Sequence, residues 1–486
     1  MIFSSYEFLF LFLPLVLAGY YLLPRGGRTL FLVLASYLFY GWWDYRFCGL
    51  MLLSTVIDYA AGRGIVRSVS LVGKKRWVAL SVVSNLSLLG FFKYFDMFAT
   101  TFNYGLAALF PESRIPNPAS PIPLLHLVLP VGISFYTFQS MSYSIDLYRG
   151  RAKQTRSFLD FACYVSLFPQ LVAGPIVRYH ELAEQLVERS HSASKAARGA
   201  ALFILGFAKK VLVADAVAPL VSLAYDGGSP GWLEAWAGTL AYAMQIYFDF
   251  SGYSDMAVGL GLMLGFRFPI NFNSPYKAVS ITDFWRRWHI SLSSWLRDYL
   301  YIPLGGNRVG RFRTYVNLGL VMVLGGLWHG ADWTFVVWGA IHGLALAWER
   351  WRGTDRPPHV LWGRVRTFLL VCFAWVPFRA ATMEETLAIW RAMLGFSGAG
   401  WPMGWGDGLP LGFLLSLLGA ACVLAFVAPN TWTILRVDEC EDCSGSVFGA
   451  TWLGAVGRAL ILLALFGFGL AVLLVNQSSP FLYFQF

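Results

Sequence analysis

The chain has 486 residues, of which 57% are hydrophobic and only 13% are charged, and its mean hydropathy is +0.57. A soluble globular chain carries roughly 25% charged residues because its surface faces water, so this composition excludes a soluble enzyme and a disordered chain. The net charge of +10 would suggest nucleic acid as a partner of a soluble protein. Here the basic residues cluster between apolar segments, as the positive-inside rule predicts for a membrane protein, so we expect membrane lipid and no nucleic acid as a partner.

Apolar segments recur along the whole chain, and a spanning helix needs about 20 such residues. They lie near residues 8–23, 30–47, 48–61, 77–95, 125–145, 158–176, 197–224, 235–264, 314–328, 334–350, 364–378, 410–428 and 456–475. Several are short or are interrupted by Gly and Pro. We therefore predict an all-α polytopic membrane protein with about 11–13 membrane helices, some of them re-entrant or interfacial.

The first apolar segment is not expected to be a cleaved signal peptide. No basic residue precedes it, and no convincing small-residue cleavage site follows it. Arg25 and Arg28 follow the segment instead, which places its start outside and its far end in the cytoplasm.

Three stretches have the composition of loops: the Pro-rich residues 111–123, the Gly- and Trp-rich residues 398–408, and residues 429–449. The last contains Cys440 and Cys443 in an acidic run, but no second pair of ligands completes a zinc site, and the carboxylates disfavour a thiolate. We interpret this run as an acidic surface loop. Because neither an internal repeat nor a soluble appended domain is evident, residues 1–486 are predicted to form one membrane domain with a catalytic core near 125–350.

Polar residues gather between about 245 and 345. Asp249 and Asp255 lie six residues apart in an apolar segment, and polar residues then interrupt the helical pattern at 271–276. An ionisable residue inside a membrane is costly, which makes each one a functional hypothesis.

The segment 283–299 reads DFWRRWHISLSSWLRDY. A helix turns about 100° per residue, which would place an aromatic and apolar set on one face: Trp285, Trp288, Leu292, Trp295 and Tyr299. His289 would lie at the edge of that face, and Arg286 and Arg287 would point elsewhere. We expect an amphipathic helix at the membrane interface or along a funnel.

His329 ends a membrane segment between Trp and Gly residues, and His342 follows thirteen residues later. From spacing alone, a buried histidine is more often a hydrogen-bonded core residue than a catalyst. The histidines nearer loops are interpreted as structural: His126, His180, His191 and His359. Metal binding is not expected, because neither HExxH nor a paired-cysteine spacing occurs, and the absence of GxSxG argues against a Ser-His-Asp triad.

A buried histidine without a metal or a protein nucleophile suits general base catalysis. An imidazole with a reference pKa near 6.5 is largely neutral at pH 7 and can take a proton from an attacking hydroxyl. The missing reactant is then an activated acyl donor, such as a thioester.

Residues 247–308 and the segment Trp328-His329-Gly330-Ala331-Asp332-Trp333 resemble the membrane-bound O-acyltransferase superfamily, and in particular its bacterial alginate O-acetyltransferase branch. The resemblance extends to residues 2–9, 129–139, 168–176 and 480–486. It implies a ring of membrane helices around a thinned centre, with a tunnel or funnel that leads to the principal catalytic histidine at His329. It places the second active-site histidine at His289.

The resemblance also implies a direction for the reaction. An acetyl group would pass from a cytoplasmic donor, expected to be acetyl-CoA, across the bacterial inner membrane, and periplasmic SGNH-type acetyltransferase proteins would place it on an exopolysaccharide, here alginate. No permanently bound cofactor is expected. Five residues could form a cationic, aromatic entrance for CoA, or could equally anchor the chain at the membrane surface: Trp285, Arg286, Arg287, Trp288 and Arg297. Asp332 could hold the tautomer of His329 if that segment is helical.

Two alternatives stay open. A polysaccharide-precursor transporter would suit the helix count and the buried Asp249, Asp255 and His342, although the lack of a repeat weakens it. Within the family, the acceptor could be cellulose, peptidoglycan or teichoic acid. D-alanylation of teichoic acid would need a carrier-protein donor.

Overall fold

The computed structural model describes residues 1–109, 121–353, 359–398, 410–437 and 452–476, together with residues 479, 481 and 482. These residues are mostly helical and contain no β-strand, which confirms the all-α prediction. The α-helices are α1 (Leu13–Leu22), α2 (Arg25–Gly41), α3 (Arg46–Arg67), α4 (Leu71–Leu89), α5 (Phe95–Leu109), α6 (Ile133–Tyr148), α7 (Phe158–Ser166), α8 (Phe168–Leu171), α9 (Tyr179–Val187), α10 (Ala193–Ala208), α11 (Asp215–Tyr225), α12 (Trp232–Met263), α13 (Ile281–Trp285), α14 (Ile290–Leu296), α15 (Arg311–His329), α16 (Trp333–Arg352), α17 (Val360–Arg379), α18 (Met383–Met393), α19 (Leu411–Phe426), α20 (Thr431–Leu435) and α21 (Trp452–Asn476). Four π-helical segments, Glu7–Phe12, Gly90–Tyr94, Lys209–Ala214 and Arg297–Tyr301, and a 3₁₀ turn at Pro275–Lys277 lie between them.

Several of these helices are apolar enough to cross a bilayer. By length and composition, four described segments qualify, namely Arg46–Arg67, Leu71–Leu109, Val360–Arg379 and Val456–Asn476. Glu7–Leu22 and Leu411–Phe426 form shorter apolar helices. The outward faces carry large exposed apolar side chains such as Leu86 and Leu463, which only lipid can cover. The chain is therefore a multi-pass membrane protein, while the larger count of 11–13 membrane helices stays a prediction.

The helices differ from the predicted apolar segments at three places where the backbone breaks. Segment 125–145 is helical only from Ile133, because Gly132 has a φ of +76° and Pro130 disfavours helix before it. Segment 158–176 breaks at Leu167 and ends as a helix at Leu171. The boundary expected at residue 47 lies earlier, since α2 ends at Gly41 and α3 begins at Arg46. The Asp44 carboxylate accepts the Arg46 backbone N–H at 2.9 Å at this start.

The predicted single helix over 283–299 was wrong. Helix α13 ends at Trp285 and α14 begins at Ile290, and His289 between them has a φ of +42°. The break is made by the polar stretch before it, since the Asn271 carbonyl accepts the Ile290 N–H at 2.9 Å. Trp288 is only 2% exposed and packs in the core. A tertiary hydrogen bond therefore overrides the periodic pattern that predicted one amphipathic face.

Three loop predictions fall largely outside the described residues, although the third, 429–449, was wrong where it is described, because Thr431–Leu435 form helix α20. They are residues 111–120 of the Pro-rich stretch, 399–408 of the Gly- and Trp-rich stretch, and 438–449 with Cys440 and Cys443.

Helix α12 forms the centre of the fold, and nearly all of its residues are buried. Both of its buried aspartates are paired with lysines of the π-helical segment Lys209–Ala214. Asp249 lies 2.7 Å from Lys210, and Asp255 lies 2.6 Å from Lys209. A buried carboxylate is tolerated when a cation and hydrogen bonds compensate its lost hydration. These two aspartates are thus explained by packing, with no need for a transported ion.

Asp249 and Asp215, which both pair with Lys210, also tie Ser479 and Leu482 to the core. The Leu482 N–H donates to Asp249 at 3.0 Å, and the Ser479 hydroxyl donates to Asp215. The Phe481 ring packs 4.4 Å from the Tyr253 ring of α12.

Helices α15 and α16 form an antiparallel hairpin with very close backbones. A Cβ atom on Gly326 would overlap the Phe335 carbonyl oxygen, and one on Gly339 would overlap the Met322 carbonyl oxygen. Small residues let membrane helices approach in this way and gain dispersion energy along their length. The contact fixes the last turn of α15, where His329 lies.

We expect Gly326→Ala to lower the melting temperature of the purified protein in detergent by several degrees. Overpacking at such a contact costs about 1–3 kcal/mol of the free energy of unfolding. Gly319→Ala is the matched control, because nothing lies within 4 Å of a Cβ atom there on the same helix. Equal melting temperatures for the two variants would contradict the close contact.

Candidate active site

His329 is the last residue of α15 and is 4% exposed. Aromatic rings enclose its imidazole, with ring centroids at 5.0 Å for Trp328, 5.2 Å for Trp338 and 5.2 Å for Phe378. The surroundings are apolar and shielded from bulk water. In such surroundings an imidazole interacts strongly with any polar reactant that reaches it.

His289 is fully buried, and a hydrogen bond determines which of its two ring nitrogens carries the proton. Its Nδ1 lies 3.1 Å from the Asn271 side-chain oxygen, which also accepts the Ser291 N–H and the Ser291 hydroxyl. The Asn271 amide nitrogen donates to the Ser254 hydroxyl at 3.1 Å. Because the Asn271 oxygen is an acceptor only, Nδ1 of His289 carries the proton and Nε2 presents a lone pair.

The lone pair of His289 Nε2 has no hydrogen-bond partner in the part of the chain that the structure describes. Buried polar atoms are nearly always paired, so an exception requires an explanation. The positive φ of His289 adds backbone strain at the same residue. Both features are typical of a residue kept in place for a reactant.

The fold brings the two histidines together although forty residues separate them. Their ring centroids lie 6.3 Å apart, and both rings contact Trp328, at 6.0 Å for His289 and 5.0 Å for His329. The third buried histidine, His342, lies on the other side of Trp338 at 5.0 Å. Neither nitrogen of His342 has a partner among the described residues.

Two cavities meet at His329. One, which we call the N-terminal cavity, has a volume of about 510 Å³ and is lined by Met1, Ile2, Lys93 and residues 128–135, among others. The other, the central cavity, has a volume of about 460 Å³ and lies between α14, α15 and α16. His329 is the one described residue that lines both. Two reactants can therefore approach one imidazole from different directions.

The structure brings three of the five predicted donor-binding residues to the central cavity, namely Trp285, Arg286 and Arg297. The other two lie elsewhere. Arg287 pairs with Asp283 at 2.8 Å, and Trp288 is buried against the rings of Phe272 and Trp375.

Asp332 was expected to hold the tautomer of His329 only if the segment between them were helical. The segment is not helical, because α15 ends at His329. Asp332 is the N-cap of α16, and its carboxylate accepts the Thr334 N–H at 2.9 Å. In the described ranges, no three His, Cys, Asp or Glu residues come together in a way that could hold a metal ion.

Sequence reasoning missed Lys93 and Tyr94, which hold the end of α15. The Lys93 ammonium donates to the carbonyls of Trp328 and His329 at 2.5 and 2.8 Å, and the Tyr94 hydroxyl donates to the Leu327 carbonyl at 2.7 Å. These are among the carbonyls that a helix end leaves without an internal partner. A lone cation inside the apolar segment 77–95 was the signal that could have revealed Lys93.

Comparisons with known proteins agree on the family. The sequence profile described as the membrane-bound O-acyltransferase family matches residues 38–378. The probable alginate O-acetylase AlgI of Azotobacter vinelandii is 44% identical over 514 aligned residues, covering all of both chains. The protein of the same name from Pseudomonas aeruginosa is 50% identical, over 82% of this chain and 75% of its own. The peptidoglycan O-acetyltransferase of Helicobacter pylori is 40% identical, over 82% of this chain and 80% of its own.

We expect Lys93→Met to lower the melting temperature in detergent more than Tyr94→Phe does. The first variant removes two hydrogen bonds from a charged donor, each contributing about 1.5–3 kcal/mol, and the second removes one neutral bond of about 1 kcal/mol. Lys75→Met is the control, because Lys75 is exposed on the same helical run. A melting temperature unchanged by Lys93→Met would show that these contacts do not hold α15.

Proposed function

Since the chain belongs to the membrane-bound O-acyltransferase family and is an O-acyltransferase, we propose that it transfers an acetyl group from acetyl-CoA across the bacterial inner membrane. The group is destined for the hydroxyls of an exopolysaccharide, most simply alginate. The observation that carries this proposal is the position of His329 at the junction of the two cavities.

In this mechanism the acyl donor occupies the central cavity and the acceptor hydroxyl enters from the N-terminal cavity. Basic residues at 308–313 and 350–352 flank the helices that line the central cavity, and by the positive-inside rule they put its mouth in the cytoplasm. The N-terminal cavity then opens towards the periplasm. A buried imidazole separates the two openings, so the acetyl group crosses the membrane as it changes carriers.

His329 acts as the general base. Its imidazole takes the proton of the acceptor hydroxyl while the oxygen attacks the carbonyl carbon of the thioester. The carbon–sulfur bond breaks, the imidazolium returns the proton to the leaving thiolate, and an oxygen ester and free CoA result. The enclosing rings keep bulk water away and so limit hydrolysis of the thioester.

His289 orients a reactant. Its Nδ1 proton is engaged by Asn271, so the Nε2 lone pair is left to accept a hydrogen bond. With the two rings 6.3 Å apart, one hydroxyl or thiol can lie between them. This arrangement holds the reacting atoms close together, which lowers the entropic part of the barrier.

The relatives are named for different acceptor polymers. Two of them are named for alginate and one for peptidoglycan. Acetylation of cellulose would use the same chemistry, whereas D-alanylation of teichoic acid would need a carrier-protein donor. We further propose that a periplasmic acetyltransferase protein of the SGNH type receives the group and delivers it to the polymer. The size of a polymer supports this step, because the N-terminal cavity of about 510 Å³ admits only a small reactant.

We expect His329→Ala to abolish base-labile acetyl ester on the exported polysaccharide while the polymer and the membrane protein persist. The imidazole is the only group at the junction that reaches both described cavities, so no neighbouring base can replace it. Ester is measured on polymer from cells that carry wild-type protein or the variant, with protein abundance checked by blot.

The matched control is His359→Ala, since His359 is exposed at the start of α17 and should leave acetylation unchanged. Unchanged ester in His329→Ala would overturn the role of His329. Loss of the polymer itself would favour a transporter instead.

We expect His289→Ala to lower acetyl transfer strongly and to leave the protein folded in detergent. Truncation removes the Nε2 acceptor but leaves Asn271 bonded to Ser291. Activity and size-exclusion profile are measured on the same preparation. If the variant loses its folded peak, the role of His289 is structural.

A further inference from the structure

A second group of basic side chains lies away from His329, where the end of α1 meets the starts of α2 and α10. Six residues form it, and we call them the arginine–tyrosine cluster: Tyr20, Tyr21, Arg28, Arg189, His191 and Lys195. None of them lines either of the two cavities that meet at His329. The six residues are spread over 176 positions of the chain, so the fold has gathered them at one place.

Aromatic rings hold both guanidinium groups of the cluster in position. The Arg28 guanidinium lies 5.0 Å from the centre of the Tyr20 ring. The Arg189 guanidinium lies between two rings, at 4.8 Å from Phe266 and 5.9 Å from Tyr20. Stacking of this kind fixes the plane of a guanidinium group and leaves its edge, with the N–H donors, open to a partner.

The two arginines have donors to spare. Arg28 uses its Nε to donate to the Leu23 carbonyl at 3.1 Å, and Arg189 uses its Nη2 to donate to the Thr29 hydroxyl at 3.0 Å. Nη1 of Arg189 is buried and has no hydrogen-bond partner among the described residues, and such an atom requires an explanation. Arg28, Arg189 and Lys195 also form no ion pair with a carboxylate in the described ranges.

The positive charges of the cluster act on one point, which the His191 imidazole occupies. Partial burial lowers the pKa of His191, and the nearby charges of Arg28, Arg189 and Lys195 lower it further. The imidazole therefore adds no charge of its own at neutral pH. A place where three cations depress the ionisation of a histidine is equally a place that favours a bound anion.

Apolar surface begins directly beside these cations. Leu30, Leu34 and Leu38 of α2 are exposed and recur every four residues, so they form one face of the helix, which we call the leucine stripe. The stripe starts two residues after Arg28, and Leu22 at the end of α1 is exposed as well. A ligand that fits both features has an anionic head and apolar chains.

We propose that the arginine–tyrosine cluster binds the phosphate headgroup of an anionic phospholipid, whose acyl chains lie along the leucine stripe. The positive-inside rule puts Arg28 at the cytoplasmic surface, and basic pockets between helices on that side bind anionic headgroups. Guanidinium groups bind phosphate oxygens through paired, charge-assisted hydrogen bonds. A free phosphate can use the same donors, but only a phospholipid joins that phosphate to apolar chains. The proposal does not depend on acyl transfer at His329.

A lipid bound here would also hold the end of the central helix. Tyr20, Tyr21 and Lys195 donate to the carbonyls of residues 263–265, where α12 ends. Immobilising the cluster keeps these donors in place. Lipid binding should therefore protect the backbone at this helix end from local opening.

The first test measures lipid affinity of the purified full-length protein in neutral detergent, by energy transfer from its tryptophans to a chain-labelled phosphatidylglycerol. We expect phosphatidylglycerol to bind about tenfold more tightly than phosphatidylcholine with the same chains. Arg28→Gln and Arg189→Gln should each weaken phosphatidylglycerol binding about fivefold, since each removes one cation at the membrane surface. Arg25→Gln is the matched control, because Arg25 is exposed three residues before Arg28, and it should bind as the wild type does.

The second test needs no variant and decides the matter if the arginine substitutions disturb folding. Hydrogen–deuterium exchange is followed by mass spectrometry on the wild-type protein with each lipid. Phosphatidylglycerol should slow amide exchange in residues 188–195 and 264–267, and phosphatidylcholine should not.

Three results would overturn the site. The first is unchanged exchange in both segments, or equal slowing by the two lipids. The second is wild-type affinity for phosphatidylglycerol in folded Arg28→Gln and Arg189→Gln proteins. The third is displacement of phosphatidylglycerol by an excess of inorganic phosphate, which would make the cluster a site for a free anion and not for a lipid.

Discussion

The site depends on how α15 ends inside the protein. A helix that stops at membrane depth leaves carbonyl oxygens without partners, and lipid cannot supply a hydrogen bond. Lys93 and Tyr94 supply three donors to the last three carbonyls of α15, while the close contact at Gly326 holds the last turn against α16. With its end satisfied in this way, α15 can present His329 to two cavities at once instead of continuing to the membrane surface.

Several cations lie in local departures from the α-helix. Lys93 lies in the π-helical segment Gly90–Tyr94, and Lys209 and Lys210 begin the segment Lys209–Ala214. Arg297, at the central cavity, begins the segment Arg297–Tyr301. A π-turn adds a residue to the helical repeat and so redirects the side chains around it. In three of the four described π-helical segments, a cation is carried to a carbonyl, a carboxylate or a cavity.

Apolar runs located most of the long helices, because hydrophobic runs are a local signal, but not α5, α9, α18 and α20. The roles of His289 and His329 came from the family resemblance. Sequence periodicity failed where a distant group decides the local backbone. The break at His289 depends on Asn271, eighteen residues earlier, which pairs with the imidazole and with the Ile290 N–H. No helical pattern contains that information. The meeting of His289 and His329 likewise required the family resemblance, since residues forty positions apart give no spacing signal of their own.

The cations of the protein fall into two groups, those with a partner inside the fold and those without a carboxylate partner among the described residues. Lys209 and Lys210 are compensated by aspartates of α12, and Lys93 by backbone carbonyls, so their charge is internal to the fold. Arg311 and Arg350 have no such carboxylate among the described residues and line a cavity that joins the central one. Arg311 and His329 thus lie at opposite ends of α15.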